Sequence, residues 1–305
     1  MRKLVSVLIL AAVTALMILA YAPAFLRPPA DVLVGSDGWL YPGWERLVDQ
    51  RKSAARQGAR LVVEVDAALK AQGQQLIVLV TPTKVRVASK HLPRLRQFEV
   101  ERATGYSTLI KSLETSGIRV VDALPLLKRR HLLDGRAYFR RDAHWTGYAA
   151  EEVAQVLANK ITAETPLPVE PSDGERLGGW EQVRRYPDLV AILRRQGDLS
   201  LGEERFIQRE YKVEPAGSGR VAVVGSSFVD RRYGLPQTLS QLLDRRVSRR
   251  VEVGSEGSWA AMVTHLRARD PTTKVVIWQL GEGSFSSEAS QASMSAYLKE
   301  EGRLP

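Results

Sequence analysis

The sequence has no cysteine, and among its 305 residues it has only four histidines and a single asparagine, Asn159. The absence of cysteine excludes disulfide bonds, and it neither requires nor excludes an extracytoplasmic location. With few histidines and no dense cluster of ligating residues, the sequence predicts no metal site and no cofactor. Zinc-finger, RNP and helix-turn-helix patterns are also missing, so we expect no nucleic-acid partner.

Charge of one sign is in excess, because 44 lysines and arginines face 34 acidic residues, which gives a net charge of +10. A basic face attracts acidic polysaccharides or anionic lipids, although a solvated, arginine-rich surface explains the balance as well. Hydrophobic residues make up 44% of the chain, which is enough for a substantial core in one large or two small domains.

The N-terminus predicts a targeting segment. Arg2 and Lys3 precede an uncharged stretch at residues 4–26 that is long enough to span a bilayer, so the body of the protein is expected outside the cytoplasm. A signal anchor is favoured over a signal peptide cleaved after residues 20–22, because Pro23 is a poor first mature residue. We therefore divide the chain into residues 1–27, the anchor or signal peptide, and residues 28–305, one domain.

Beyond this segment, strand-like and helical patterns alternate along the chain. Strands are predicted at residues 75–80, 118–121, 220–224, 249–253 and 274–279. Helices are predicted at residues 45–70, 95–113, 149–161, 235–246 and 258–268. Residues 164–174 resemble a loop, and residues 180–204 give no clear pattern beyond irregular or helical structure. The alternation predicts an α/β fold with a mostly parallel sheet and helices on both faces.

Ser227 follows the apolar strand at residues 220–224 and Gly225, at the end of a strand where open α/β sheets bind their ligands. The turn lacks the second glycine of the G-x-S-x-G motif, since Val229 stands there. A serine in this position is a candidate nucleophile, and a serine that only satisfies the backbone of a turn is the alternative.

Asp142 and His144 form a D-x-H pair, whose side chains lie on the same side of an extended segment. The carboxylate is then able to orient the imidazole and leave its second nitrogen free as a base. Thr146 is a predicted helix N-cap, and Trp145 is placed to shield the pair from water. The alternatives are an aspartate that caps a turn beside an ordinary loop histidine, or metal ligation.

Five segments resemble those of the alginate O-acetyltransferases of the AlgJ/AlgX type, which are SGNH-hydrolase-like proteins of the bacterial periplasm. The D-x-H segment, DAHWTGYAA, resembles their D-T-H-W-T segment. The other four occur in the family's order: VGSDGWLY (34–41), VTPTKVRV (80–87), VVDALPLL (120–127) and VVGSSF (223–228). The resemblance implies an SGNH-like three-layer sandwich in which Ser227 is the nucleophile, His144 the base and Asp142 the orienting acid.

This resemblance also identifies candidate substrate contacts and departures from the family pattern. The candidate contacts are Lys84 in the P-x-K segment, Arg140 and Arg141 beside the D-x-H pair, and Gly254 and Gly257 in a glycine-rich loop. Related hydrolases use an asparagine as an oxyanion donor, but Asn159 lies within a predicted helix. Backbone N–H groups of Ser227 and of the glycine-rich loop are the expected substitutes. The terminal strand of relatives carries W-E and a downstream arginine, and Gln279 and Gly281 stand there instead, which puts any substrate contact of that glutamate or arginine in doubt.

The implied function is a membrane-anchored periplasmic O-acetyltransferase that moves acetyl groups through an acetyl-serine to hydroxyls of an exopolysaccharide. A membrane-bound O-acyltransferase partner is expected to supply the acetyl group. The chain closes soon after the catalytic fold, so it is expected to lack a carbohydrate-binding module and to be nearer to the AlgJ type. The alternatives are a polysaccharide acetyl esterase, which uses the same triad with water as acceptor, and a catalytically silent polymer-binding scaffold.

Overall fold

The computed structural model describes residues 31–45, 47, 52–165, 167, 177–211, 219–254, 256–285 and 288–304. The predicted anchor or signal peptide lies outside the described residues, as does most of the loop predicted at residues 164–174. No helix within the described ranges combines the length and apolar composition that a membrane crossing requires.

Five parallel strands form the central sheet in the order β4-β3-β9-β7-β8, as the alternating sequence pattern predicts. Two small antiparallel sheets pair β1 with β2 and β5 with β6. The strands are β1 (Val32–Val34), β2 (Leu40–Pro42), β3 (Gln75–Thr81), β4 (Val120–Asp122), β5 (Leu177–Arg185), β6 (Glu204–Tyr211), β7 (Val221–Gly225), β8 (Val247–Val251) and β9 (Val275–Gly281).

Helices cover both faces of the sheet, which gives three layers. The helices are α1 (Lys52–Ala71), α2 (Lys84–Val87), α3 (Arg94–Arg102), α4 (Gly105–Thr115), α5 (Leu124–Asp134), α6 (Gly147–Glu164), α7 (Asp188–Arg195), α8 (Leu235–Leu243), α9 (Gly257–Ala268) and α10 (Glu288–Glu300). Alternate residues of the central strands enter different cores: Ile77 and Val223 pack with α6 and α8, whereas Val78 and Val224 pack with α1 and α9.

The three middle strands end at the same level of the sheet. Val78 of β3 pairs with Trp278 of β9, and Trp278 also pairs with Val224 of β7. Because these strands are parallel, the residues that follow them meet at one carboxyl edge. The loops after β3, β7 and β9 therefore come together where the candidate catalytic serine lies.

Two stretches differ from the sequence prediction. The helix expected at residues 95–113 is divided, because Ala103 and Thr104 leave helical geometry between α3 and α4. Residues 180–204, expected to be irregular or helical, hold part of β5, the short helix α7 and the first residue of β6. The β5 strand is weakly apolar and has no buried residue, so it has no clear alternation, and pairing with β6 rather than burial specifies it.

The helix expected at residues 45–70 is observed only from Lys52, as α1, and it contains Gly58. Glu45 is not helical, and residues 46 and 48–51 lie outside the described residues. A Cβ at Gly58 would lie 2.3 Å from the ring of Phe285, so the glycine permits close approach of that aromatic residue. The position that weakens the helical pattern in the sequence is therefore a packing site between α1 and the segment after β9.

Candidate active site

Ser227 is held at the carboxyl edge of the sheet by the turn that follows β7. Gly225 has no room for a side chain, since a Cβ would lie 2.8 Å from Gln279 Oε1. That same oxygen accepts hydrogen bonds from Ser226 N at 3.1 Å and Ser226 Oγ at 2.9 Å. The buried amide of Gln279 also donates to Thr81 Oγ1 at 3.1 Å. Gln279 thus ties the turn to β9 and β3, and Ser227 is half-buried at the surface.

The segment that carries Asp142 and His144 lies against this turn. An isolated antiparallel bridge joins Tyr138 to Trp145 and closes the segment into a loop. The Trp145 indole is fully buried, and its Nε1 donates to Phe228 O at 3.1 Å. Thr146 caps α6 as predicted, with its Oγ1 accepting from Ala149 N at 3.2 Å. The Trp145 contact directly links the acid–base loop to the nucleophile turn.

The structure brings Asp142, His144 and Ser227 together in one hydrogen-bonded series. His144 Nδ1 lies 2.7 Å from Asp142 Oδ1, and His144 Nε2 lies 2.8 Å from Ser227 Oγ. The carboxylate favours the tautomer with its proton on Nδ1, so that Nε2 accepts the serine hydroxyl proton. This is the geometry that nucleophilic acyl transfer requires.

Asp142 is held in its ionised form within this series. Burial alone would raise its pKa, but the hydrogen bond from His144 and the charges of His144 and Arg185 lower the pKa to about 2. Arg185 NH2 lies 3.9 Å from Asp142 Oδ2. A carboxylate that stays charged at neutral pH is suited to stabilise the imidazolium that forms when Ser227 loses its proton.

Aromatic rings enclose the imidazole. The Tyr233 ring stacks on His144 with centroids 4.5 Å apart, and Phe228 lies 4.9 Å away at a tilted angle. Both residues follow β7 in the chain, so the elements that position the serine also cover the histidine. The sequence prediction assigned shielding to Trp145, whose buried ring contacts Phe228.

Sequence reasoning missed a second carboxylate, Asp188. Its Oδ2 lies 3.4 Å from His144 Nδ1, and its Oδ1 accepts from Ala143 N at 2.8 Å. Asp188 is the first residue of α7, after Pro187, and a Pro-Asp pair at a helix start is the local signal that identifies it. The ligand-type atoms of Asp142, His144 and Asp188 lie within 4.8 Å of one another. Their hydrogen bonds within the site favour acid–base work over metal ligation.

The sequence-based prediction that Lys84 contacts substrate does not agree with its position. Its side chain is completely buried, and Nζ donates to the carbonyls of Leu40 at 2.5 Å and of Arg140 and Asp142 at 2.9 Å each. Burial lowers the pKa of Lys84 to about 7. All three ammonium protons are used inside the protein, so Lys84 holds the acid–base loop against β2 and is not reachable by a polymer.

Arg140 and Arg141 adjoin the site but differ in exposure. Arg141 NH1 lies 2.9 Å from Glu204 Oε1, with 22% of its side chain exposed. Arg140 lies 4.0 Å from the same carboxylate, and its side chain is 53% exposed. Arg140 is therefore the better placed of the two to contact a ligand.

The two glycines of the predicted oxyanion loop have different environments. Gly254 has a φ of 103° and open surroundings. Gly257 is buried, and it has no room for a side chain because a Cβ would lie 2.4 Å from Glu252 O. The N–H of Gly257 donates to Gly254 O at 3.1 Å, so it is not free to bind an oxyanion in this arrangement.

Comparisons with known proteins agree with this architecture. Residues 32–282 match the profile of the family described as "SGNH hydrolase-like domain, acetyltransferase AlgX". The O-acetyltransferase domain of Pseudomonas putida AlgJ has a similar fold, with a TM-score of 0.69 at 20% identity over 88% of this chain and 99% of that one. This likeness supports the SGNH-like α/β fold with its parallel central sheet.

Two relatives share clear sequence similarity with the chain. A probable alginate O-acetylase AlgJ of Pseudomonas fluorescens is 33% identical over 141 residues, which is 46% of this chain and 36% of that protein. A probable alginate O-acetylase AlgJ of Pseudomonas aeruginosa is 26% identical over 300 residues, covering 89% of this chain and 75% of that protein. Since the family profile covers most of the chain, the protein belongs to the AlgX-type SGNH hydrolase-like acetyltransferase family.

Proposed function

We propose that this member of the AlgX-type family is an O-acetyltransferase that carries an acetyl group on Ser227 and passes it to a hydroxyl of an exopolysaccharide such as alginate. The observation that carries the proposal is the hydrogen-bonded series from Asp142 through His144 to Ser227 at an accessible edge of the sheet. Relatives that are named as probable alginate O-acetylases support the choice of acceptor.

In the first half-reaction, His144 Nε2 takes the proton of Ser227 Oγ while the oxygen attacks the carbonyl carbon of an acetyl ester or thioester donor. The tetrahedral intermediate collapses, the bond from the acetyl carbon to the leaving group breaks, and the leaving group takes the proton from His144. Asp142 and the enclosing Tyr233 ring keep the imidazole in position through both proton transfers.

Backbone N–H groups of the nucleophile turn are the candidate oxyanion donors. The N–H of Ser226 donates to Gln279, and those of Val229 and Asp230 donate to carbonyls of the same turn. In the part of the chain that the structure describes, the N–H groups of Ser227 and Phe228 have no hydrogen-bond acceptor. Two donors beside the attacking oxygen replace the asparagine that the sequence lacks at this position.

In the second half-reaction, a sugar hydroxyl attacks the acetyl carbon of acetyl-Ser227. His144 Nε2 accepts the proton of that hydroxyl and returns it to Ser227 Oγ as the ester bond to the enzyme breaks. Water performs the same attack, so exclusion of water by the bound polymer decides between transfer and hydrolysis.

The proposal includes a place and a partner in the cell. Residues 4–26 would anchor the domain to the inner membrane with its body in the periplasm. An acetyl donor made in the cytoplasm would then reach Ser227 through a membrane-bound O-acyltransferase. Fusion of the body to a reporter that works only outside the cytoplasm, together with membrane fractionation, tests this topology.

The catalytic test uses purified protein, an acetyl ester such as p-nitrophenyl acetate, and oligouronate acceptors. We expect acetyl-Ser227 to be trapped by mass spectrometry and acetylated oligosaccharide to form. Ser227→Ala should reduce transfer by about 10³-fold or more, because the nucleophile is removed. The Ser226→Ala variant should still become acetylated on Ser227, since the hydroxyl of Ser226 contacts Gln279 and not His144.

The products also distinguish the alternatives. Ester hydrolysis that is unchanged by any acceptor would identify an acetyl esterase. Polymer binding without acetylation of Ser227 would identify a silent scaffold. Full activity of Ser227→Ala would remove the acyl-serine route altogether.

A further inference from the structure

Two carboxylates, and not one, face the same nitrogen of the active-site imidazole. His144 Nδ1 lies 2.7 Å from Asp142 Oδ1 and 3.4 Å from Asp188 Oδ2. The shorter contact is the hydrogen bond, and the longer one is within the range of strong charge interaction. An imidazolium at His144 would therefore lie between two negative groups that come from distant parts of the chain.

Reciprocal hydrogen bonds fix Asp188 in this place. Asp188 Oδ1 accepts from Ala143 N at 2.8 Å, and the backbone N–H of Asp188 donates to Asp142 Oδ2 at 3.2 Å. The next residues, Leu189 and Val190, are completely buried in a small core that includes Ala143. The start of α7 is thus packed onto the D-x-H pair itself, between its aspartate and its histidine.

The two carboxylates have different environments. The Asp142 side chain is 3% exposed, whereas that of Asp188 is 37% exposed. Burial raises the pKa of Asp188, and the charge of Asp142 raises it further. The charged or titratable groups that face this pair are His144, Arg185 on β5, Lys84 on α2, and Arg232 and Tyr233 after β7. Asp142 is thus the buried hydrogen-bond partner of His144, whereas Asp188 is a carboxylate that is partly exposed to solvent.

We propose that Asp188 is a positioning residue for His144, placing a second negative charge beside Nδ1–H and stabilising the imidazolium that forms as Ser227 loses its proton. The inference rests on the proposed acyl transfer at Ser227 and extends it from a triad to a set of four groups. Proton movement is unchanged: the hydroxyl proton still goes to Nε2, and Asp188 supplies charge at the opposite nitrogen.

A purely structural role would be limited to the hydrogen bond that Asp188 accepts from Ala143 N. Asp188→Asn separates the two roles, because the amide oxygen still accepts that bond while the negative charge is lost. Asp198→Asn is the matched control, since Asp198 lies just beyond the other end of α7, accepts from Ser200 N at 2.9 Å and is exposed. Asp188→Ser serves as a second variant if the asparagine protein does not fold.

The first readout is the NMR titration of the His144 ring in the full-length protein, assigned with His144→Gln. Removal of a negative charge beside Nδ1 should move the pH midpoint of the ring downward by about half a unit or more in Asp188→Asn. Asp198→Asn should leave the midpoint unchanged. An Asp188→Asn midpoint identical to that of the wild type would overturn the proposal, whatever the protein transfers.

The second readout is the rate at which a sulfonyl fluoride labels Ser227, which needs neither glycan nor acetyl donor. Asp188→Asn should slow labelling about 3- to 10-fold in the wild-type background, and by a larger factor when Asp142→Asn is already present, because Asp188 is then the remaining carboxylate. Equal factors in both backgrounds would contradict the shared role. If the labelling rates changed as expected but the protein transferred no acetyl group, the proposed function would be refuted and the role of Asp188 beside His144 would stand.

Discussion

The nucleophile turn (residues 225–229) and the acid–base loop (residues 138–146) meet at one site but are built in different ways. The turn is a direct extension of the buried strand β7, and one neutral side chain, Gln279, secures it. The loop lies outside the sheet, and a buried cation, Lys84, secures it through carbonyls of the loop and of β2. One half of the site thus depends on the sheet, and the other on buried charge.

This difference has a consequence for robustness. A turn that continues a core strand inherits the stability of the sheet, so the loss of one hydrogen-bonding partner changes it locally. The acid–base loop has only a single isolated bridge and a few backbone hydrogen bonds of its own, so the buried ammonium group supplies a large share of the bonds that hold it. The acid–base loop should therefore be the weaker half of the site.

Lys84→Met should have the largest effect. The substitution removes the side-chain donor to the carbonyls of Leu40, Arg140 and Asp142, and it removes a positive charge near Asp142. The Arg140 carbonyl keeps only its bond from Leu40 N at 3.0 Å. We expect a loss of about 3–5 kcal/mol in the free energy of unfolding, together with the loss of Ser227 labelling. Urea unfolding followed by circular dichroism measures the first quantity.

Lys70→Met is the control for removing a lysine. Lys70 is an exposed lysine that pairs with Asp66 one turn away on α1, so its replacement should cost no more than about 0.5 kcal/mol. If Lys84→Met were also within 0.5 kcal/mol of the wild type, the acid–base loop would not depend on this cation.

Gln279→Leu tests the other half and should have a smaller effect. It removes the acceptor of Ser226 N and Oγ while it keeps most of the buried volume. We expect a loss of about 1–3 kcal/mol in stability and a roughly tenfold slower labelling of Ser227. Gln155→Leu is the control for replacing a glutamine by leucine, because Gln155 forms an exposed hydrogen bond with Asn159. A greater loss than that of Lys84→Met would reverse the order of the two halves.

The same contrast explains what the sequence predicts and what it does not. The strand before Ser227 and the cap at Thr146 are local patterns, and they are observed where the sequence indicates them. Lys84 and Asp188 act through residues 44 to 58 positions away in the chain, so a local pattern such as the Pro-Asp pair at a helix start marks the element but not these contacts. Asp188 was also hidden because β5 gives no apolar alternation to mark the elements around it.

The pH dependence of stability should show the charged character of the acid–base loop. The pKa of Asp142 lies below its ordinary value of 3.8, at about 2, so its stabilising contribution is complete above about pH 5 and is lost as the pH falls towards 2. The stability difference between wild type and Asp142→Asn should thus shrink by about 1 kcal/mol or more between pH 5 and pH 3. Urea midpoints at pH 5, 4 and 3 measure it, and a constant difference would show that Asp142 is not stabilised as a carboxylate.

The smallest effect is expected where the acid–base loop reaches solvent, at Arg140. Its side chain is half-exposed and only loosely associated with Glu204, so it is free to contact an acidic glycan. Arg140→Ala should weaken binding of a polyuronate about 2- to 5-fold at 0.05 M salt, as expected for one exposed charge pair. The effect should disappear at 1 M salt, where the Debye length falls to about 3 Å. Isothermal titration at both salt concentrations measures the binding.

Two controls separate a specific contact from general charge. Arg60→Ala removes an exposed arginine from α1, on the opposite face of the sheet, and should leave polyuronate binding unchanged. Arg141→Ala should act mainly on the free energy of unfolding and less on polyuronate binding, because Arg141 forms the shorter ion pair with Glu204. A neutral glucan of equal length should bind wild type and Arg140→Ala equally. If the wild-type protein bound polyuronate and glucan with the same affinity at both salt concentrations, the basic charge of this loop would have no part in choosing the acceptor.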